Sequence, residues 1–127
     1  MKFNYLILLI FIISCNNNSA GNKTTNTENS VAVVNSNGET LFKANCASCH
    51  KPNERYVGPA LQGVVSRWES KEQLYAFVRN SQEVISRNAY AKKLYEEYKQ
   101  SPMLPYPNLK DTDIDDILRY CQNYIAE

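Results

Sequence analysis

The sequence predicts a small all-α domain behind an export signal and a tether. Three observations carry this. Apolar residues beyond residue 37 recur at helical spacing. No segment alternates apolar and polar residues convincingly as a strand. Three of the five prolines, Pro102, Pro105 and Pro107, gather in one stretch between helical segments, where they interrupt no helix interior.

The chain opens with Lys2, the apolar run "FNYLILLIFIIS" and Cys15. A membrane-spanning helix needs about 20 apolar residues, and this run is shorter. A short basic start and an apolar stretch ending at a small residue are the pattern of an export signal. "IISC" resembles the lipobox of bacterial lipoproteins, with Ile12 where Leu is usual and Ser14 before the cut. That resemblance implies a signal over residues 1–14 and a lipid on Cys15. The alternative is an ordinary secretory signal with Cys15 incidental. The chain has 14 Lys and Arg against 13 Asp and Glu, so removing Lys2 balances the charges. With no polybasic patch, membrane attachment would rest on the lipid. At 21% charged residues and a net charge of +1, bulk charge does not point to nucleic acid.

Residues 15–36 are expected to form a flexible tether. "NNNSAGNKTTNTENSVAVVNS" is polar and shows no helical period; its apolar patch, Val31 to Val34, reads as loose packing on the domain surface. A flexible coil of that length has a root-mean-square reach of roughly 25 Å.

The domain, residues 37–127, should begin with a helix after "NSNG" that runs through "ETLFKANC". A second helix starts at Ser70, where "SKEQ" matches a capping box with Gln73 reaching back. Its apolar stripe is Leu74, Phe77 and Val78. A third runs from about Ala89 to Lys99 behind an Asn88 cap, with Ala91, Leu94, Tyr95 and Tyr98 as its stripe. The last opens near Asp111 or Thr112, with acidic residues in its first turns where the helix dipole favours them. Ile114, Ile117, Leu118, Cys121 and Ile125 mark its buried face. A domain of this size has a modest core, which a bulky bound group at its centre would enlarge.

The chemistry concentrates in "CASCHK". Cys46, Cys49 and His50 hold two of the four cysteines and the single histidine. A redox disulfide of the thioredoxin kind belongs to a βαβ pattern, which is absent. Zinc could count Cys46, Cys49, His50 and Cys121, but adjacent Cys49 and His50 converge poorly on one tetrahedral ion. C-x-x-C-H is the attachment motif of c-type haem. Its spacing places the two thiols about one turn apart, each to join one vinyl group, with His50 beside them to reach the iron. Attachment is an extracytoplasmic chemistry, in keeping with the export signal. With one histidine, bis-histidine ligation within the chain is excluded. Met1 leaves with the signal, so Met103 is the thioether left. It stands in "SPMLPYP", a stiff loop suited to presenting one side chain. Core filling is the commoner role of Met; elimination favours Met103 as the sixth ligand, with a lysine or an open position as alternatives.

Over nearly all of residues 37–126 the chain resembles the class I, mono-haem cytochrome c family. "GETLFKANCASCH" resembles the family's first helix, and "LRYCQNYI" its last, with Gly38, Phe42 and Tyr120 at the crossing. "VGPALQGVVSR" resembles the stretch after the haem motif, and "MLPYPNL" the methionine loop. The resemblance implies a small cytochrome c fold, helices wrapped around one covalent haem c. It implies a bond from His50 to the Pro59 carbonyl, and Arg67 near a haem propionate. Cys121 departs from the pattern in an exported protein and reads as buried core; Lys110 stands where a Ser or Thr cap is usual. The long segment from Trp68 to Gln100 resembles cytochrome c domains attached to respiratory complexes and terminal oxidases; its Trp and Tyr residues read as core and pocket walls.

The implied function is one-electron transfer, without catalysis, between membrane respiratory partners in the cell envelope. A lipid anchor would hold the domain in the periplasm or on the outer face of the cytoplasmic membrane, as a monomer. The rivals are a haem enzyme of peroxidase type and a haem sensor with a displaceable Met103.

Overall fold

In a computed structural model, residues 27–126 are described, with side chains from Ser36 onward. They form α1 (Thr27–Asn45), a short 3₁₀ turn (Val64–Arg67), α2 (Lys71–Arg79), α3 (Ser81–Arg87), α4 (Ala89–Glu97) and α5 (Asp111–Gln122). Among the described residues there is no strand, and no helix is long and apolar enough to cross a membrane.

The first helix differs from its expected start. It begins at Thr27, so residues 27–36, read as tether, are helical, and the boundary expected at residue 37 falls inside α1. "NSNG" reads locally as a helix breaker, because glycine costs about 1 kcal/mol against Ala within a helix. Tertiary contact overrides this. Gly38 is buried where α1 crosses α5, and a Cβ there would stand 2.1 Å from Asp116 O. A backbone approach that close admits only glycine. The crossing is extended by Phe42 and Tyr120, ring centroids 5.5 Å apart, and by buried Cys46, Ile117 and Cys121.

A second cluster gathers Val64, Trp68, Leu74, Tyr75, Val84, Ala91, Ile114 and Leu118. Trp68 is its hub, with centroids 5.0 Å from Phe77 and 5.1 Å edge-on from Tyr90. The helices that frame it are closed by their caps. Ser70 Oγ accepts from Gln73 N at 3.3 Å. The Gln73 side chain does not reach back as expected; it donates to Glu69 and accepts from Asn88. The segment after α2 is a separate helix that periodicity did not reveal. Asn80 ends α2 and its side chain caps α3, so one residue divides two helices of similar polarity.

Lys110, rather than Asp111 or Thr112, takes the N-cap position of α5. An ammonium has no acceptor to offer, and the Asp113 carboxylate accepts from Lys110 N at 2.9 Å instead. Asp111 is drawn away to pair with Arg79. At the other end α5 stops at Gln122, and Ile125, expected on the buried face, is 85% exposed. The helical phase no longer carries that far.

Asn88 both caps α4, accepting from Ala91 N at 2.9 Å, and donates to Gln73 on α2 at 2.9 Å. Asn88→Ala is expected to cost about 1–2 kcal/mol, read as a lower urea midpoint with an unchanged slope.

Candidate functional site

The end of α1 tightens into a turn. Cys46 N and Ala47 N both donate to Phe42 O, and Cys49 N and His50 N both donate to Cys46 O. Cys46 and Cys49 thereby stand one turn apart, and both thiols line one cleft with His50. Among the described residues both are free thiols, as is Cys121. Burial, with Cys49 adding to it, pushes the Cys46 thiol up to about 11; burial pushes buried Cys121 up to about 12. Among the described residues, no three of His, Cys, Asp and Glu gather to hold an ion. The zinc alternative therefore lacks its ligand set.

His50 is buried, with Nδ1 2.8 Å from Pro59 O. A carbonyl only accepts, so Nδ1 carries the hydrogen and Nε2 keeps its lone pair. Burial lowers the His50 pKa and the Pro59 bond opposes it, with burial the larger effect. The ring is therefore neutral at pH 7, the form that binds a metal. Pro59 reaches this place because the loop folds back on the turn: Gly58 N donates to Cys49 O at 2.8 Å, and Gln62 N to Pro52 O at 2.7 Å. Gly58 lies against the imidazole itself, where a Cβ would come within 2.4 Å of His50 Cε1.

The cleft, about 790 Å³ with its open mouth, is walled by Phe77, Ile85, Leu94, Tyr95 and Tyr98 from α2, α3 and the α4 end. Its inner end, lined by Leu61, Val64, Trp68, Leu74, Ile114 and Leu118, is apolar, and His50 and Met103 line both parts. Met103 arrives on the proline-rich loop. It is half-buried, and its carbonyl accepts from the Ser81 hydroxyl at 2.6 Å. Exposed Val57 and Leu104 form part of the rim.

Cys46, Cys49, His50, Pro59 and Met103 thus share one cleft. Arg67 does not line it; its guanidinium is exposed and donates to Ala60 O at 2.5 Å. Cys15 lies outside the described residues. Three contributors were not legible beforehand. Gly58 was visible only as the residue before Pro59. Ser81 carried no reading, and Tyr106 was one tyrosine among nine.

A family model described as Cytochrome c matches residues 36–124. Among solved structures the chain is similar to cytochrome c from Rhodothermus marinus, at 31% identity and a TM-score of 0.59, covering 71% of this chain and 75% of that one. An engineered form of that protein, Rma TDE, gives 31% identity and a TM-score of 0.57 over 71% of this chain and 76% of its own. The same engineered protein bound to a carbene intermediate gives 31% identity and a TM-score of 0.56, over 71% and 75%. A comparison with curated protein sequences gives no match.

Proposed function

This chain belongs to the cytochrome c family, and from that premise we propose that it is a one-electron carrier of the cell envelope, tethered to a membrane through a lipid on Cys15 and exchanging electrons with membrane respiratory partners. The family carries haem c, held covalently with its iron, and the chain is a haem c protein of small helical fold. When bound, the haem supplies the one-electron iron couple.

The residues of the cleft fit that group. Cys46 and Cys49, one turn apart, would supply two thioether anchors, and His50 a ligand to the iron. Pro59 fixes the imidazole ring, selects its tautomer and raises its basicity. Met103 would supply a thioether to the iron, a ligand that favours the reduced state and a higher potential. The apolar walls exclude water and limit reorganisation. Arg67 lies outside the cleft and donates to the Ala60 carbonyl, so its propionate role rests on the family resemblance alone. The tether and lipid raise the domain's effective concentration at membrane partners such as a respiratory complex or terminal oxidase.

One observation carries the reading: His50, its Nδ1 bonded to Pro59, lines the same cleft as Met103. A carrier is favoured over a catalyst or sensor because Met103 lines the cleft with His50 and would occupy the position an incoming ligand needs, and the sequence offers no second histidine as a distal acid or base. The test is the matured protein itself. Haem retained on a denaturing gel, with the weak red band of methionine-ligated ferric haem, supports the carrier. A high-spin spectrum supports a rival with an open site, and a gel without haem overturns the attachment reading.

Gly58→Ala is expected to displace the His50 ring, because a Cβ would also stand 2.8 Å from Nδ1 and 3.0 Å from Nε2. The outcome is a several-fold lower yield of matured protein and a weakened histidine bond, seen as high-spin character at neutral pH. A wild-type spectrum and yield would show that the loop yields freely.

A further inference from the structure

The methionine loop is tied to two walls of the cleft. Towards α2 and α3, Ser81, 1% exposed, donates to Met103 O, and Tyr106 N donates to Val78 O at 3.2 Å. The other tie runs to the attachment turn. A continued α-helix would direct Cys49 N–H to Asn45 O, but that donor bonds to Cys46 O at 3.0 Å. Asn45 O accepts the Tyr106 hydroxyl. Asn45 immediately precedes Cys46, and Tyr106 follows Met103 by three residues. The Tyr106 ring itself lines the cleft. One side chain therefore joins the segment carrying the two cysteines and His50 to the segment carrying Met103.

We propose that Tyr106 is the latch of the methionine loop: its hydroxyl, held by Asn45 O, positions Met103 against the histidine turn and sets how readily Met103 gives way to an incoming ligand. The proposal rests on Met103 being the sixth ligand. Tyr106 touches the cleft but carries no chemistry in the electron step, so it is a positioning residue.

The reasoning is a population argument. An added ligand takes the place of the Met103 sulfur when the loop swings out, so its apparent affinity scales with the fraction of open loop. A single hydrogen bond between neutral groups changes such a fraction about three- to tenfold. Tyr106→Phe keeps the ring and removes the latch. Tyr75→Phe is the control: Tyr75 OH donates to Asp115 at 2.6 Å, and Tyr75 lines neither part of the cleft.

The experiment titrates the ferric holoprotein with imidazole, following the loss of the red methionine band. Tyr106→Phe is expected to retain the band without imidazole and to bind imidazole about three- to tenfold more tightly than wild type. Tyr75→Phe is expected to bind it like wild type. Unchanged affinity in Tyr106→Phe overturns the latch alone. Equal tightening in both variants also overturns it, because general loosening would then suffice. A wild-type protein without the red band overturns the Met103 reading, and the latch with it.

Discussion

Gly38→Ala is expected to disrupt the packing of α1 on α5 and to cost the domain about 3 kcal/mol or more. Local propensity argues the other way, since Ala in a helix interior is better than Gly by about 1 kcal/mol. Geometry decides. An ideal Cβ at position 38 lies 2.1 Å from Asp116 O, 2.7 Å from Asp116 C and 3.0 Å from Tyr120 Cβ. The two nearest are backbone atoms, which no rotamer change can move. The helices must separate, and the separation opens the Phe42–Tyr120 contact and the buried set around Ile117 and Cys121. It also pulls Asn37 from Asp116, whose carboxylate accepts from Asn37 Nδ2 at 2.7 Å. Because α1 ends at the residue before Cys46, the strain reaches the attachment turn. Denaturant unfolding of the matured variant measures this. A stabilised protein would mean that propensity governs position 38 and the crossing is looser than described.

Met103→Ala should abolish the red methionine band, lower the reduction potential, and tighten imidazole binding beyond what Tyr106→Phe achieves. The variant removes the competing sulfur outright, whereas the latch variant only raises the fraction of time it is absent. Stability should also fall, by about 2 kcal/mol, near the low end for a truncated core residue because Met103 is half-buried. Met103→Leu separates the two effects. It keeps the apolar volume and most of the stability, yet loses the band as completely as the alanine variant. A band that survives in Met103→Leu would reduce Met103 to packing and reopen the sixth position to another group.

Much of the helical framework was legible residue by residue. Ser70 and Asn88 announce their helices because a hydroxyl or amide at the N-cap is a local device. The stripe Ile114, Ile117, Leu118 and Cys121 is buried because helical period alone places it on one face. The misreadings share a cause. "NSNG" was read as a break because glycine is locally unfavourable, and α5 was carried on to Ile125 because the apolar period continues in the letters. Asp111 was considered as a cap because its residue type suits one, yet Arg79, 32 residues earlier, competes for its carboxylate. The Gly38 and Asp111 outcomes were decided by neighbours remote in the chain, and Ile125 by the end of α5 at Gln122.

By itself, the sequence singled out the candidate groups. Cys46, Cys49 and His50 are bound to one another by a few peptide units, so their spacing prescribes which side chains share a turn. The lone histidine, and Met103 as one of only two methionines, stood out as the proposed pair of iron ligands. Tertiary structure alone decided how those groups are held: the Gly38 crossing, the bare Cα of Gly58 against the imidazole, Ser81 on the Met103 carbonyl, and Tyr106 on Asn45, 61 residues away. The division has a physical reason. Spacing along the chain is set by covalent geometry and the helical repeat, which local letters encode. Contact between distant segments depends on how whole helices pack, and many residue types satisfy a stretch of sequence while only one fits the gap that packing leaves.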